Sequence, residues 1–385
     1  MNDITIDKTG WKKYRFGDVA IQTKEIVDMD NTELTRYVAG EHMNSEDIHI
    51  RKWGTVGDGY LGPAFIRRFH KGDILYGSRR TYLKKVAIAD FDGITANTTF
   101  VIKPKEELIE PVLLVHLMLS KSFTEYSVTN SRGSVNPYIN WKDIADYEFL
   151  LPPKPEQKRI AALLWSADEM IEKEKIKLGR LEKYFEAYLY YGFEKSNFNA
   201  DLHSCINELI GGGTPNTKNE EYYCDFKGVP WVTSISLESI YINKGERHIT
   251  QLGINQSATN ILSEGNIILG TRVGVGKCSI NNVAMCFSQD STGLIIKKEI
   301  VDPVFLLFTL RSLYSQKYFK SHSRGTTIQG ITKEDLLKLP VWIPNMNQQL
   351  SIAENCTNMV NSIEKSQKLL EQSQQIKLEL INKVY

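Results

Sequence analysis

Two long stretches of the chain repeat apolar residues every three or four positions. From Glu156 to about Tyr191, Ile160, Leu164, Ala167, Ile171, Leu178, Leu181, Phe185 and Tyr188 recur in steps that alternate four and three, with Glu174 the one polar interruption. A period near 3.5 residues held over several turns predicts a coiled-coil helix, with a core helix of a bundle as the alternative. About 36 residues at ~1.5 Å per residue make a rod on the order of 54 Å. Near the C-terminus the same register gives Ile352, Cys356, Met359, Ile363, Leu370 and Leu380, while Ser366, Ser373 and Lys377 make this second seam more polar. The partner expected for each helix is the other one.

Shorter apolar runs bounded by Gly, Asn and Asp read as strands: GDILYG, KVAIADF, TTFVIK, NIILGT and GLIIKK. Pro111 and Pro303 each open an apolar helix, where a missing N–H costs nothing. These elements repeat. An offset of 192 residues carries Pro111 onto Pro303, Tyr126 onto Tyr318, Ser131 onto Ser323, Pro152 onto Pro344, Gln157 onto Gln349, Ile160 onto Ile352 and Ala161 onto Ala353. KGDILYGS (71–78) matches EGNIILGT (264–271) at an offset of 193. The chain is therefore an internal pair, each copy a mixed part (about 11–152 and 203–344) followed by a long helix.

Composition narrows the class. At 385 residues, 42% hydrophobic and 24% charged, the chain suits two globular domains. A net charge of +1 argues against a uniformly basic coat, though not against local basic patches. The opening MNDITIDKTG lacks a basic segment followed by an apolar core, and VLLVHLML and VFLLFTL are far shorter than the ~20 residues that span a bilayer, so a cytoplasmic protein is expected. Cys205, Cys224, Cys278, Cys286 and Cys356 are odd in number, confined to the second half and without CxxC spacing, which disfavours disulfides and zinc.

Catalytic patterns fail on inspection. GTRVGVGKC (270–278) falls short of a phosphate loop, with Thr271 where a glycine and Cys278 where a hydroxyl is required. NPY (136–138) is not the Asn-Pro-Pro-Tyr of an adenine methyltransferase, and PEQK (155–158) sits at a helix start, with no upstream acidic partner arranged for metal-dependent cleavage. The seven histidines show no ligand spacing, and no nucleophile elbow is present. Catalytic and metal residues are expected to be none.

Basic residues concentrate instead on loops between strands. Arg67 and Arg68 precede one strand; Ser78, Arg79, Arg80, Lys84 and Lys85 follow it, and Thr271, Arg272 and Lys277 take the matching place in the second copy. Lys and Arg meet phosphates, and a forked guanidinium reads a guanine edge. GGGTPNTKNEEYY (211–223) offers Thr214 and Lys218, where the first copy keeps Thr23 and Lys24; hydroxyls and amides there suit phosphates, while three glycines also suit a hinge. Finally, NSRGSVNPYINWKDI (130–144) echoes HSRGTTIQGITKEDL (322–336). The shared Ile-x-x-x-Asp frame reads as a packing helix. Ser131, Arg132, Ser323 and Arg324 lie in the loop before it, and the copies part at Ser134–Tyr138 against Thr326–Gly330.

Taken in order, GDILYGSRR/GNIILGTRV, the Ser-Arg-Gly echo, LLPPKPEQKRIA/VWIPNMNQQLSIA and the long helix make the chain resemble the specificity (S) subunit of type I restriction–modification enzymes over essentially its whole length. The second copy departs at Asn345-Met346-Asn347, where the first reads Pro153-Lys154-Pro155. The resemblance implies an α+β fold: two similar mixed α/β target recognition domains joined by two long antiparallel helices in a coiled coil, with internal pseudo-two-fold symmetry. It places recognition domains at 1–153 and 195–344 and helices at 154–194 and 345–385. It implies recognition of a bipartite, asymmetric duplex with a fixed-length spacer, and docking of two adenine-N6 methyltransferase subunits, to which restriction subunits add translocation and cleavage. S-adenosylmethionine, ATP and Mg are expected only in those partners. Rival expectations are a coiled-coil scaffold pairing two protein-binding domains without DNA, and a stand-alone enzyme.

Overall fold

A computed structural model describes residues 6–59, 61–194, 198–325 and 329–385, excluding the side chain of Glu194. The opening Met1–Thr5 and the divergent Thr326–Ile328 lie outside the described residues. The chain forms two compact units, Met1–Lys175 with Lys368–Tyr385, and Ile176–Gln367.

In unit one, strands Ala20–Thr23, Thr99–Pro104, Ile74–Gly77 and Val86–Ile88 lie side by side in an antiparallel sheet. Its central strands are apolar on both faces, and their period of two divides the side chains between two cores. Ile74, Tyr76, Phe100 and Ile102 face the helices, while Leu75 and Val101 face Val38, Met43 and Phe69. The second side belongs to a mixed sheet of Gly54–Thr55, Arg36–Val38, Gly93–Ala96 and Phe65–Phe69. Besides the short Phe16–Val19, its helices are α1 (Pro111–Leu117), started by its proline, α2 (Lys121–Thr129), capped by Ser120, and α3 (Trp141–Ala145), opened by an Asn140/Asp143 capping box. The long α4 (Lys154–Glu194) follows.

Unit two repeats the plan. Ile206–Gly211, Ser291–Ile296, Ile267–Gly270, Cys278–Asn281 and Tyr241–Ile242 form one sheet, with Ile267 and Leu269 toward the helices and Ile268 toward the opposite core. A second sheet orders Tyr223–Cys224, Arg247–Ile249, Val229–Val232 and Cys286–Phe287. Helices α5 (Pro303–Arg311), α6 (Leu313–His322), α7 (Lys333–Leu337) and α8 (Met346–Val384) complete it. The architecture is α+β. Among the described residues no helix is long and apolar enough to cross a membrane.

Each long helix serves both units. In unit one, Asp168, Ile171 and Lys175 of α4 line a cavity of about 440 Å³ together with Glu371, Lys377 and Ile381 of α8, and Asp168 pairs with Lys377, so the early half of α4 meets the late half of α8 and the two run antiparallel. In unit two the other halves share a core through Phe185, Tyr188, Ile352 and Cys356.

The seam differs in detail from the expected one. Leu164 and Ile171 are buried, but Ile160, Leu178, Leu181 and Phe185 are only half-buried, and the interior positions are Ala161 and Asp168 rather than Ile160 and Ala167. On α8, Ile352, Met359, Ile363, Leu370 and Leu380 are half-buried, and Ala353, Cys356, Ser366, Lys377 and Ile381 lie deeper. The reason is geometric: each helix packs on its own unit as well as on its partner, so its buried stripe is wider than a two-helix seam. Lys377, expected to weaken the seam, is buried against Asp168.

Candidate nucleic-acid interface

In unit one the basic loop after Ile74–Gly77 and the Ser-Arg-Gly loop come together. Arg80 N donates to Pro137 O at 2.7 Å and Ile139 N to Ser78 O at 2.9 Å. Arg132 and Tyr138 exchange main-chain hydrogen bonds of 2.8 and 2.9 Å, closing the 132–138 loop around Gly133, whose φ is +89°. Unit two uses the same scheme: Ile331 N donates to Thr271 O at 2.9 Å, and Arg324 and Gly330 exchange two bonds of 2.9 Å. Two loops far apart in sequence thus form one surface in each unit.

The echoed residues serve mainly to build that surface. Ser131 Oγ donates to Ser127 O and Ser323 Oγ to Phe319 O, both at 2.7 Å, finishing α2 and α6. Tyr126 Oη donates to Asp143 O at 3.0 Å, and Tyr318 Oη to Asp335 O at 2.8 Å. Arg132 reaches Asp143 at 3.4 Å and Arg324 reaches Asp335 at 3.1 Å, yet these arginine side chains stay 63% and 75% exposed. The Ile-x-x-x-Asp frame is therefore a packed helix whose aspartate orients the arginine. Gln157 Oε1 accepts from Glu110 N at 2.9 Å while its Nε2 donates to Leu108 O and Pro152 O. Gln349 makes the equivalent three bonds with Asp302 N, Ile300 O and Pro344 O.

The remaining expected residues divide by what they already bind. Arg79 and Arg80 are exposed, and their guanidinium groups have no hydrogen bond or ion pair among the described residues. Arg80 holds a left-handed backbone (φ 51°, ψ 55°), as does Lys84 (φ 48°), with Thr81–Leu83 forming a single 3₁₀ turn between them. A left-handed conformation is costly for a side-chain-bearing residue, and such strain concentrates at functional surfaces. Arg272 is 53% exposed, with Asp290 at 4.0 Å. Lys24 and Lys218 are exposed.

Others are committed internally. Ser78 is buried and donates to Thr98 O at 2.6 Å; Thr271 is buried with its hydroxyl 3.1 Å from that of Thr292. Arg67 donates to Lys24 O at 2.9 Å, and Arg68 sits among Glu25, Asp92 and His70. Lys84 pairs with Glu46 at 2.5 Å, Lys277 with Glu238 at 2.8 Å, and Thr214 Oγ1 with Gln289 Oε1. Burial or pairing leaves these groups less to offer a phosphate than their sequence suggests. Sequence gave little weight to the apolar rim, where Tyr82, Val135 and Tyr138 are 53%, 90% and 44% exposed.

Two of the three consecutive glycines are needed for close packing. A Cβ on Gly212 would lie 2.0 Å from Ser288 O, and one on Gly213 2.4 Å from Thr259 N, so both residues are required for backbone packing. GTRVGVGKC folds as a compact turn into strand Cys278–Asn281, with Gly270 N donating to Lys277 O at 2.7 Å, and no helix follows as a phosphate loop needs. Burial pushes the thiols of Cys205, Cys278 and Cys286 up to about 11 and that of Cys356 to about 12, so they pack rather than react.

One charged cluster lies apart from the loops. Asp47, His49 and Glu172 converge within 4.8 Å, a spacing open to a metal. Arg51 already bonds both carboxylates (2.8 and 2.5 Å) and Lys175 adds an amine 3.1 Å from Glu172, so side-chain cations supply the counter-charge. His49 Nε2 lies 2.6 Å from Asp168 Oδ2; that hydrogen bond raises the pKa of His49, against the opposing effect of burial. The pKa of Asp168 falls below its ordinary value: burial pushes it up, but His49 and Lys377 together outweigh burial.

Comparison with known proteins accords with this geometry. A family model described as type I restriction modification DNA specificity domain matches residues 8–183 and 205–373. The putative type I restriction enzyme MjaX specificity subunit of Methanocaldococcus jannaschii is 24% identical over 396 residues, covering 96% of this chain and 89% of that protein. The MjaIX specificity subunit of the same organism is 30% identical over 178 residues, which span 46% of this chain and only 40% of that relative. Among solved structures, a chain from work on complex assembly and conformational transition of the type I R-M system gives a TM-score of 0.62 at 20% identity, covering 98% of this chain and 97% of that one. The type I S subunit from M. genitalium also gives 0.62, at 14% identity, covering 100% and 97%. At such identities the structural likeness is one of fold.

Proposed function

This chain belongs to the type I restriction modification specificity subunits, whose family domain it carries twice, and we propose that each copy reads one half of a bipartite, asymmetric duplex DNA target. The observation that carries this is the paired loop surface. Equivalent main-chain bonds hold it in both units, while the turn it carries reads Arg79-Arg80-Thr81-Tyr82 in one, with Thr81 buried and the other three exposed, and Arg272-Val273-Gly274-Val275 in the other, with Arg272 and Val273 exposed.

The chemistry follows from the side chains. Arg79, Arg80 and Arg272 supply forked donors for guanine edges, with Arg132 and Arg324 held at the loop margin by their aspartates. Lys24 and Lys218 supply point charges for phosphates, which set register without reading sequence. The chain performs no bond-making itself on this reading. Its long helices fix the spacer between half-sites and dock two adenine-N6 methyltransferase subunits in the cytoplasm. S-adenosylmethionine binds in those subunits, and restriction subunits bring ATP and Mg.

The test is half-site specific. Arg79→Ala and Arg272→Ala should each weaken binding at a different half-site, by roughly 1–3 kcal/mol, measured against duplexes altered in one half at a time. A loss independent of sequence would mark phosphate contacts. Duplex affinity without salt dependence, or no affinity, would favour a scaffold for two protein-binding domains. Mapping methylated adenines after co-expression with the methyltransferase subunit identifies the words read.

A further inference from the structure

Beneath the helices of unit one lies a set of polar side chains whose counterparts in unit two are all different. Lys377 of α8 and Asp168 of α4 are buried together as an ion pair. His49 bonds Asp168 at 2.6 Å, and His116 of α1 is fully buried, its Nδ1 donating to Val112 O at 2.6 Å and its Nε2 without a partner among the described residues. The repeat offset of 192 carries Asp168 onto Val360 and His116 onto Phe308, and carries Phe185 onto Lys377. His49 pairs beside Ile88 as Tyr241 pairs beside Ile280. In unit two, Phe185 meets Phe308 edge-on, ring centroids 6.0 Å apart, and Val360 packs on the same core. One unit has a salt bridge where the other has a hydrocarbon contact.

We propose that the Asp168–Lys377 pair makes the two repeats pair with each other and refuse a second copy of themselves. The partner selected is α8 of the same chain; the partner excluded is α4 of another. In an antiparallel α4–α4 pairing of the same register, the residue taking the place of Lys377 is Phe185. Each Asp168 then faces an aromatic ring, and the pairing buries two carboxylates that have lost the ammonium of Lys377 and keep only His49. An α8–α8 pairing sets each Lys377 against Val360 and buries two unpaired ammonium groups. Only α4 with α8 leaves none. Removing one partner of a buried ion pair is far more costly than exchanging both for apolar groups, so the pair discriminates strongly while adding little net stability. A single buried polar contact selects coiled-coil partners on the same principle.

The experiment uses full-length chains carrying two different tags, co-expressed, with capture of one tag through the other and mass by light scattering. Phe185→Lys gives α4 both Asp168 and a lysine at the facing position, so an α4–α4 pairing becomes complementary. Capture should rise at least about tenfold over the unchanged chain, since each restored pair shifts such an equilibrium by more than that. Phe185→Ala removes the same ring without adding charge and should leave capture at the starting level. Equal capture by the two variants, or none by either, overturns the proposal. Should F185K not fold, as judged by circular dichroism and a cooperative melt, a second comparison decides. The double variant D168V/K377F copies unit two into unit one and should raise capture about tenfold, whereas D168K/K377D exchanges the charges and should not. Capture unchanged in D168V/K377F, or matched by the exchanged pair, overturns it equally.

Discussion

The two units share their hydrogen-bonded frame and differ both at the surface and beneath their helices. Gln157 and Gln349 each make three matching bonds, and Ser131 and Ser323 finish equivalent helices with bonds of equal length. Against this, the turn that is Arg79-Arg80-Thr81-Tyr82 in one is Arg272-Val273-Gly274-Val275 in the other, and the buried trio Asp168, Lys377 and His116 is Val360, Phe185 and Phe308. A duplicated chain must keep what folds each copy. It is free to diverge where copies meet something outside, and it gains by diverging where they must be told apart.

The largest expected effect breaks the comparison at the helices. Lys377→Ala leaves Asp168 buried without its ammonium partner and should cost roughly 3–5 kcal/mol in denaturant unfolding. The double change D168V/K377F should recover most of that loss, since unit two is built that way. A Lys377→Ala variant as stable as the unchanged chain would mean that His49 alone satisfies the carboxylate.

Next comes pH. Burial, helped by the charge on Lys377, pushes His116 down to about 4 from its ordinary 6.5. The unfolded chain therefore takes up a proton that the folded chain refuses. Stability falls as pH drops from about 6.5 to about 4, by roughly 3 kcal/mol, and this contribution changes no further below that. His49, raised by its bond to Asp168, acts with the opposite sign: it stabilises at low pH and its contribution is lost as pH rises through its raised value. Melting curves of His116→Phe, the residue unit two uses, should lack the acid-side loss while keeping the contribution of His49.

The smallest effect sharpens the shared frame. Gln157→Ala and Gln349→Ala each remove three bonds from a buried amide and should each cost roughly 2–3 kcal/mol, equal to within about 1 kcal/mol. Markedly unequal costs would show that one unit depends on its lock more than the other.

Much of this was legible in the amino-acid order because it is local or repeated. The strands, Pro111 and Pro303, and the 3.5-residue period rest on spacing within a few turns, and the 192-residue offset pairs the two copies. The convergence of Arg79 and Arg132 on one surface could be suspected only because both recur downstream. What stayed hidden depends on partners far along the chain. Nothing near Asp168 announces that its counter-ion lies 209 residues away, and nothing near Ser78, Lys84 or Lys277 shows Thr98, Glu46 or Glu238 engaging them. Composition identifies a basic loop; only the fold shows which cations are still available.

On the function proposed above, the loop surface bears on how such a chain would acquire new targets. Main-chain atoms anchor it: Arg80 N to Pro137 O, Ile139 N to Ser78 O, Ile331 N to Thr271 O. Peptide groups are the same whatever residue bears them, so the anchors survive replacement of the side chains they present. On the function proposed above, the turn is a cassette in which vocabulary changes while grammar is retained, and exchange of a few codons would rewrite a half-site without refolding the unit that displays it.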